Sequence, residues 1–430
     1  MKSSKPKQKT LKKEEFKNSN VLLIGTYSSE NKGDAAMELS VANKVKNELG
    51  ATVKISSPFP HIDRSFYSDF EVVFSQRRKL IRASIQLFLA FIYSLLPKSA
   101  QSKFDFLILS DEGKAILSSD LVIDLSGDML TEDYGPHVAY SHFIPILMSI
   151  FLGKKVFLCA QSIGPFKLTT FLAKYIFTKV SQITVRESIS YDYMKRFKLS
   201  EVILAKTADV AFLLEPSDSK RAQEILKEEG LVLPKNRVVL GISVSDIIQR
   251  KYNSRSDQKG KFEDEFAAML DRLIETDNYF IVFVSHVTGP SETKDDRNLS
   301  KRVFSKMKNG KFGFVLSGNH RPEEIKQIIS QFNLFVGARM HANIGALSVG
   351  TPIIAISYSH KTPGIMKEFG LGDWVHPIET LNMDELYQSI LTMYKKKKTI
   401  SSQITKSNER IKSISGENIL KIKELLSKTY

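Results

Sequence analysis

The stretch VLLIGTYSSENKGDAAMELSVANKV, residues 21–45, joins an apolar run, a glycine-containing turn and a segment of helical pattern. The apolar run, residues 21–25, has the length and composition of a buried strand, and the next helix is expected to begin at Ala35. A strand, a turn and a helix in this order form the first half of a βαβ unit. The turn lacks the GxGxxG and Walker spacings, but a helix N-terminus here can still bind an anion or a hydroxyl group.

Short apolar runs that alternate with longer helical segments continue along the rest of the chain. A polar helix bracketed by Pro216 and Pro234 separates two groups of such runs. The predicted fold is α/β, with two Rossmann-like lobes and a central cleft, where ligands bind beyond the carboxyl ends of the strands. The predicted strands are residues 21–25, 52–56, 121–125, 155–160, 182–185 and 202–205 in the first group, and residues 238–244, 280–285, 313–316, 334–337 and 352–356 in the second.

This pattern divides the chain of 430 residues into five predicted segments. They are a basic flexible tail (1–18), an N-terminal Rossmann-like lobe (19–215), a connecting segment (216–236), a C-terminal Rossmann-like lobe (237–378) and a C-terminal helical segment (379–430). For the last segment two arrangements are open, one that crosses back to the first lobe and one that extends freely.

Composition and charge exclude several classes of protein. With 42% hydrophobic and 25% charged residues the chain is typical of globular proteins, and the lone cysteine, Cys159, excludes an internal disulfide framework. Residues 1–18 lack the apolar run of a secretory signal, so we expect a cytoplasmic protein. The net charge of +15 comes with no nucleic-acid-binding module, so anionic lipids or phosphorylated ligands are expected partners and nucleic acid is not.

Two apolar stretches are too short to cross a bilayer, residues 85–96 and 142–152. The first follows the basic residues Arg77, Arg78, Lys79 and Arg82, a pattern that can lie on an anionic membrane surface. The sequence favours buried helices for both stretches. Peripheral contact with the inner face of the membrane is the alternative.

Polar residues follow several strands of the first predicted lobe. Asp34 either caps the helix after the first strand or serves a ligand. Gly127 and Asp128 follow the third strand, and Gln161 follows the fourth, in turns of small residues where a ligand or the other lobe can approach the backbone. Arg186 directly follows the fifth strand, and an ion pair inside the lobe is the alternative to a role in binding.

The second predicted lobe places Arg339, Met340 and His341 directly after a strand and before a helix of small residues. An arginine binds carboxylate or phosphate through two parallel hydrogen bonds, and a histidine exchanges a proton near neutral pH. His360 and Lys361 follow the next strand and are expected to face the same cleft. The adjacent carboxylates Asp295 and Asp296 lack the further oxygen ligands of a cation site, so no metal is predicted.

The ordered set of these motifs resembles the polysaccharide pyruvyl transferase family from about Val21 to Gly372. Two departures are Ser126-Gly127-Asp128, where the family often has a run of glycines, and Glu187, where it commonly has Asp. The motifs are Asn31-Lys32-Gly33-Asp34, Gln161-Ser162-Ile163-Gly164-Pro165, Val185-Arg186-Glu187-Ser188, Ala208-Asp209-Val210-Ala211-Phe212, Asp295-Asp296, Arg339-Met340-His341 and Tyr358-Ser359-His360-Lys361.

The resemblance implies a GT-B-like fold, phosphoenolpyruvate as donor substrate without a cofactor, and a sugar diol of a glycan or lipid-linked precursor as acceptor. Arg339 and His341 fall on the family's donor motif and Arg186 on its Val-Arg motif. Only these three residues are carried over from the family. With the residues chosen for their strand-end positions, the predicted donor-binding residues are Arg339, Met340, Arg186, His360 and Lys361, the acceptor-binding residues are Asn31, Gly33, Gly127, Asp128 and Gln161, and the catalytic residues are His341 and Asp34.

In the mechanism that this implies, His341 protonates the donor's methylene carbon and Asp34 orients or deprotonates the acceptor. Two other functions fit the predicted lobes. One is a GT-B glycosyltransferase or sugar-nucleotide epimerase that uses a nucleotide sugar, and the other is a non-catalytic glycan- or lipid-binding scaffold. The sequence does not specify the sugar, the pair of hydroxyls or the oligomeric state.

Overall fold

The computed structural model describes residues 15–200, 202–255, 261–359 and 361–428. Their strands form two parallel sheets, one of seven strands in the order β3-β2-β1-β4-β5-β6-β7 and one of six in the order β10-β9-β8-β11-β12-β13. The strands are β1 (Asn20–Ile24), β2 (Thr52–Ser57), β3 (Glu71–Phe74), β4 (Leu121–Asp124), β5 (Lys155–Gln161), β6 (Gln182–Val185), β7 (Leu204–Lys206), β8 (Val238–Ser243), β9 (Tyr279–Phe283), β10 (Gly313–Val315), β11 (Leu334–Gly337), β12 (Ile353–Ser357) and β13 (Val375–Pro377).

Helices connect the strands and cover both sheets. They are α1 (Lys32–Lys44), α2 (Pro60–Phe66), α3 (Leu80–Ser94), α4 (Lys98–Gln101), α5 (Asp111–Ser118), α6 (Pro136–Phe151), α7 (Thr170–Lys179), α8 (Ser188–Met194), α9 (Ser219–Glu228), α10 (Asp246–Asn253), α11 (Phe262–Asp277), α12 (Asp296–Lys306), α13 (Pro322–Ile329), α14 (Met340–Ser348), α15 (Lys361–Glu368), α16 (Met383–Lys395) and α17 (Lys397–Ser427).

The central strands are buried on both faces, as expected for parallel sheets between helical layers. Strands β1, β4, β8 and β11 consist almost entirely of Val, Ile, Leu and Phe with no more than about a tenth of their surface exposed, apart from the half-buried Asn20. One core runs through the second lobe and across the interface into the first, where the rings of Phe212 and Phe369 stack 5.6 Å apart. A second core fills the other face of the first sheet.

The predicted α/β fold of two Rossmann-like lobes is confirmed. Each of the eleven predicted strands overlaps an observed strand, with shifts of one or two residues at most ends. The two strands that the sequence did not predict, β3 and β13, are both at the edge of a sheet and only four and three residues long. Short edge strands carry little hydrophobic signal because one of their sides faces solvent.

The end of the described chain crosses back to the first lobe. Helix α17 has 31 residues, about 46 Å of helix, and packs on β5 and on the segment after Asp209. Its Asn418 accepts hydrogen bonds from the hydroxyls of Thr184 and Thr207 and donates one to the carbonyl of Ala208. Of the two arrangements left open for residues 379–430, the structure has the crossing one.

Most of the predicted basic tail, residues 1–14, lies outside the described residues. The described part, residues 15–18, is attached to the first lobe. Phe16 is 2% exposed, and its backbone N–H donates to the carbonyl of Leu49. The predicted flexible tail, residues 1–18, therefore extends several residues too far. Its last residues are attached to the first lobe, because the side chain of Phe16 is buried in the core.

The two apolar stretches behave differently from one another. Residues 142–152 are almost entirely buried in α6, as predicted. Residues 85–96 lie mostly in α3, and the prediction of a buried helix is wrong for one face, which exposes large apolar side chains. The packing of α3 against α6 leaves the opposite side of α3 uncovered. Among the described helices, none is both long enough and apolar enough to cross a membrane.

Candidate active site

A cleft of about 610 Å³ lies between the lobes, at the carboxyl ends of both sheets. The loops after β1 and β4 line it from the first lobe, and the residues after β8, β9, β11 and β12 line it from the second. Eight of the predicted site residues lie in its lining, and they come from both lobes. They are Asn31, Gly33, Asp34, Gly127, Asp128, Arg339, Met340 and His341.

The other predicted site residues do not line the cleft. The side chains of Arg186, Gln161 and Lys361 are buried, and each is held by polar groups of the protein. Gln161 donates to the backbone and carboxylate of Asp124 below the cleft, so the structure gives it a structural contact where the sequence predicted acceptor binding. His360 lies outside the described residues.

The loop after β1 holds Asp34 at the surface of the cleft. Helix α1 begins at Lys32, earlier than predicted, and its cap is Asn31, whose side chain accepts from the N–H of Gly33. Asp34 is therefore not the capping residue. Its carboxylate accepts instead from the N–H of Tyr27 and from the side-chain amide of Asn31, at 2.8 and 2.9 Å. Burial raises the pKa of Asp34 to about 6, although these contacts and nearby cations oppose the rise.

The same loop is joined to the second lobe by backbone hydrogen bonds. The N–H of Lys32 donates to the carbonyl of His286 at 2.9 Å, and the N–H of Thr288 donates to the carbonyl of Glu30 at 2.9 Å. Asn31 and Val287 form an isolated antiparallel bridge between these two bonds. Backbone contacts of this kind fix the loop of one lobe relative to the loop of the other at the base of the cleft.

The imidazole of His341 lies between the two lobes. A β-carbon built on Gly33 would lie 2.2 Å from Nδ1 of His341, so this ring packs directly on the glycine backbone. Its Nε2 is 3.6 Å from Oδ2 of Asp209, a residue of the first lobe. His341 therefore touches the loop of the first lobe through one ring edge and faces a buried carboxylate through the other.

Asp209 is held by Arg186 and by its own backbone. Nη1 of Arg186 donates to Oδ2 of Asp209 at 2.6 Å, and the N–H of Ala211 donates to Oδ1 at 2.8 Å. Burial alone would raise the pKa of Asp209, but Arg186 and His341 hold it well below its usual range. The ion pair inside the lobe, the alternative considered for Arg186, is what the structure shows. The guanidinium lies directly behind Gly127, 3.8 Å from a β-carbon built there.

Arg339 is oriented by a carboxylate of the second lobe. Its Nε and Nη2 donate to the two oxygens of Asp296 at 3.1 and 2.6 Å. Burial lowers the pKa of Arg339, but Asp296 more than compensates and raises it above the ordinary value. Asp296 thus orients a cation, and Asp295 caps α12 and pairs with Arg297.

Lys361 pairs with Asp128 across the lobes. Its ammonium group is 3.0 Å from Oδ2 of Asp128, and the hydroxyl of Tyr134 donates to the same carboxylate at 2.8 Å. Burial would raise the pKa of Asp128, but Lys361 and Arg186 lower it below its usual range. Lys361 therefore reaches the cleft only through Asp128.

A buried polar cluster below the cleft was not predicted as part of the site. Arg77 lines the cleft and donates to the carbonyls of Gly25 and Thr26, and His142 lies within hydrogen-bond distance of Ser126, at 2.9 Å. The sequence signal for Arg77 was present, but it was hidden in a basic run that we interpreted as solvated or lipid-facing. Its burial and its hydrogen bonds to the backbone after β1 show that the side chain turns inward.

The lining of the cleft carries an excess of cations. Within the described residues, five arginines or lysines but only three carboxylates line it. The cations are Arg77, Arg78, Arg250, Lys294 and Arg339, and the carboxylates are Asp34, Asp128 and Asp246. Such a cleft attracts an anionic ligand. The described residues contain no group of three or more His, Cys, Asp or Glu side chains that could hold a metal ion.

Comparisons with known proteins agree with the motifs. The family model described as polysaccharide pyruvyl transferase matches residues 31–360. The amylovoran biosynthesis protein AmsJ of Erwinia amylovora is 23% identical over 415 residues, which cover 90% of this chain and 98% of that protein.

Several solved structures share the fold at low identity. A putative UDP-N-acetylglucosamine 2-epimerase from Listeria monocytogenes has a TM-score of 0.57 at 10% identity, with 94% of both chains covered. The UDP-GlcNAc 2-epimerase of Neisseria meningitidis has a TM-score of 0.56 at 10% identity, covering 94% of this chain and 100% of that one. Sucrose-phosphate synthase from Thermosynechococcus elongatus scores 0.53 at 11% identity, covering 95% and 98%. The fold is thus of the GT-B kind.

Proposed function

The chain belongs to the polysaccharide pyruvyl transferase family, which makes it a transferase, and we propose that phosphoenolpyruvate is its donor. In this proposal the enolpyruvyl group moves to two hydroxyls of one sugar, on a glycan or a lipid-linked precursor. The product is a cyclic pyruvate ketal, and phosphate is released. The reaction takes place in the cytoplasm, with the enzyme at the inner face of the membrane.

The observation that carries this proposal is the meeting of the two lobes at His341 and Gly33. It brings an imidazole and an oriented arginine from the second lobe to the same cleft as Asp34 from the first. An anionic donor that reacts with a hydroxyl needs a proton donor, a proton acceptor and a fixed cation, and this cleft offers all three.

The donor's charges are met by the cations of the lining. Asp296 holds the guanidinium of Arg339 through two oxygens, so Arg339 is preorganised to bind a carboxylate or a phosphate group from the cleft side. For Arg186 we propose a supporting role in place of the donor binding that the sequence predicted. It fixes Asp209, which in turn faces the imidazole of His341, and it supports the acid without touching the donor.

Proton transfers follow from these positions. His341 gives a proton to the methylene carbon of the donor, and the adjacent carbon, now electron-poor, is attacked by the first sugar hydroxyl, which loses its proton to Asp34. The second hydroxyl then displaces the phosphate and closes the ring. One hydroxyl proton replaces the proton lost by His341, and the other leaves with the phosphate, so both residues are restored.

Acceptor recognition is assigned to the first lobe. Asn31, Gly127 and Asp128 line the cleft beside Asp34, where small side chains leave room for a sugar ring. Asp128 is kept ionised by Lys361 and can accept hydrogen bonds from sugar hydroxyls. These contacts would orient one pair of hydroxyls toward the donor carbon.

The proposal is tested by calorimetric titration with phosphoenolpyruvate and, separately, with UDP-sugars. We expect wild type to bind phosphoenolpyruvate and Arg339→Ala to lose at least about tenfold in affinity, because charge-assisted hydrogen bonds are removed. The matched control is Arg272→Ala, which removes an arginine paired with Asp384 on the surface, away from the cleft, and should bind normally. In His341→Ala, phosphoenolpyruvate should still bind, while phosphate release slows by about 10²–10⁴-fold.

Two results would contradict the proposal. One is binding of a UDP-sugar without binding of phosphoenolpyruvate, which would indicate a glycosyltransferase or an epimerase. The other is full turnover by His341→Ala, which would remove that residue from the chemistry.

A further inference from the structure

The connection from β3 to β4 crosses over β2 and β1 and contains more helices than the crossover itself requires. Helix α5 contacts the sheet, at β1 and β3, and completes the crossover. Before it, the chain adds α3, α4 and a 3₁₀ turn at Ser102–Leu107. Helix α3 packs mainly against α6, so this added segment forms an outer layer of the first lobe.

One side of α3 is apolar and open to solvent. Ile81, Ile85, Phe88, Phe91 and Leu95 expose 80, 52, 60, 40 and 66% of their surfaces. Their spacing places them on one side of the helix, which we call the α3 stripe, while Ala83, Gln86, Ala90 and Tyr93 are buried on the other side. The exposed Phe106 and Leu109 follow in the next segment, which is tied to α3 by bonds from the N–H groups of Leu109 and Ser110 to Gln86.

The charge around the α3 stripe is mainly positive, although the exposed Asp105 follows directly and accepts a hydrogen bond from Tyr93 of α3. Residues 77–104 contain six lysines or arginines and no aspartate or glutamate. Arg78, Lys79 and Arg82 are exposed at one end of α3, and Lys98 and Lys103 are exposed just beyond the other end. An apolar stripe between two basic ends is the pattern of a helix that lies in the interface of an anionic bilayer.

The same charges argue against a second copy of this chain as the partner. If two α3 helices packed together antiparallel, the basic start of each would face the basic end of the other. Parallel packing would place identical cations side by side. Either arrangement brings like charges together, whereas anionic lipid headgroups neutralise both ends at once.

The α3 stripe begins at the edge of the cleft. Leu80 and Arg78 line the cleft, and Ile81 is the first exposed residue of the stripe. Arg78 is fixed there, since its guanidinium stacks on the rings of Tyr27 and Phe59. The cleft therefore opens directly beside one end of a helix whose stripe extends about 22 Å away from it.

We infer that the α3 stripe and its basic ends dock the enzyme on an anionic membrane surface, with α3 in the plane of the interface and the cleft opening toward the headgroups. The docking surface is inferred from the exposed residues and charges of α3 and does not depend on the proposed function. Its use, which rests on the proposed function, is to let an acceptor saccharide enter the cleft while its lipid anchor remains in the bilayer.

Vesicle flotation of the full chain tests this inference, with phosphatidylcholine vesicles that contain or lack phosphatidylglycerol. Wild type should float with the anionic vesicles at low salt and dissociate at high salt, where surface charges are screened. The double variant Ile85→Gln, Phe88→Gln should lose at least about tenfold in vesicle affinity, because two large apolar side chains no longer enter the interface. The control is Val232→Gln, Leu420→Gln, which removes two apolar residues of 85 and 59% exposure elsewhere and should float like wild type.

The inference is overturned if wild type does not bind anionic vesicles, or if the α3 double variant binds them as well as wild type. It is also overturned if sedimentation shows a wild-type dimer that the α3 variant converts to monomer without any vesicle binding. Titration with phosphoenolpyruvate separates the two proposals, because the α3 variant should bind the donor as wild type does. If wild type binds vesicles but does not bind phosphoenolpyruvate, the docking surface is supported and the proposed function is contradicted.

Discussion

Gly33 and His341 belong to different lobes, yet the backbone of one supports the ring of the other. Gly33 has an ordinary helical backbone at the start of α1, so alanine is tolerated there as far as the backbone is concerned. There is no space for a side chain at this position, since an added β-carbon would lie 2.2 Å from the imidazole of His341. Glycine at this position is explained by a close approach between lobes and not by backbone conformation.

Gly33→Ala should therefore displace His341 and slow phosphate release from phosphoenolpyruvate by about tenfold or more, because a general acid must stay within hydrogen-bond reach of its target. Donor affinity should change much less. Gly416→Ala, in the middle of α17 with nothing within 4 Å of the added carbon, is the matched control and should keep full activity. An active Gly33→Ala enzyme would mean that the position of the imidazole is not critical.

The pKa of Asp34 predicts a pH dependence. Burial favours the neutral acid and raises this pKa to about 6, so the carboxylate that accepts the hydroxyl proton is lost as the pH falls below that value. We expect kcat/KM to rise with pH through an acidic limb near 6. Asp34→Asn should lose the limb together with about 10²–10⁴-fold of the rate, whereas Asp246→Asn, at the opposite side of the same cleft, should retain the limb. Persistence of the limb in Asp34→Asn would assign it to another group.

Residue types and strand-end positions were enough to bring Arg339, His341 and Asp34 to one cleft, but they did not show which side chains hold them. Arg339, His341 and Asp34 each follow a strand, and parallel strands end at the same edge of their sheet. Asp296 is 43 positions from Arg339, and Asp209 is 23 positions from Arg186. No local pattern connects such pairs, because each pair meets only through the folding of its own lobe.

At the scale of elements, α17 is part of the site although none of its residues lines the cleft. Asn418 is fully buried, and it bonds Thr184, Thr207 and the carbonyl of Ala208, while Ser415 donates to the carbonyl of Asp209. The backbone that carries Asp209, and with it the partner of His341, is thus held from behind by a helix that begins beside the second lobe.

Asn418→Ala should loosen this support. We expect kcat to fall by about tenfold with donor affinity unchanged, and stability to fall by about 1–3 kcal/mol because two buried hydroxyls lose their acceptor. Asn408→Ala is the matched control, since it removes an amide of the same helix that bonds the carbonyl of Ser348 in the second lobe. Equal losses of kcat in both variants, measured by phosphate release, would show that α17 matters only for stability.

For helix α3 the hydrophobic pattern does not predict which side of the helix is buried. A run such as IQLFLAFIYSLL is apolar on all sides, so its sequence alone cannot show which side is covered. The structure shows that α6 covers one side only. What the structure adds is that the other side, with Ile81, Ile85 and Phe88, is exposed.

At the scale of the whole molecule, the alternation of apolar runs and helical segments predicted both sheets. This pattern does not predict the position of one lobe relative to the other. It depends on contacts between distant loops, such as the bonds from Lys32 to His286 and from Thr288 to Glu30. The volume and charge of the cleft follow from that arrangement, so they could be read only from the structure.

The return of α17 to the first lobe also sets an order of events during synthesis. Asn418 lies 210 positions after Ala208, so the ribosome makes the entire second sheet before it makes this residue. Lobes fold as units, the N-terminal one first. The first lobe is therefore folded while the hydroxyls of Thr184 and Thr207 still await their partner. A nascent chain completes its catalytic geometry only after α17 has emerged and docked.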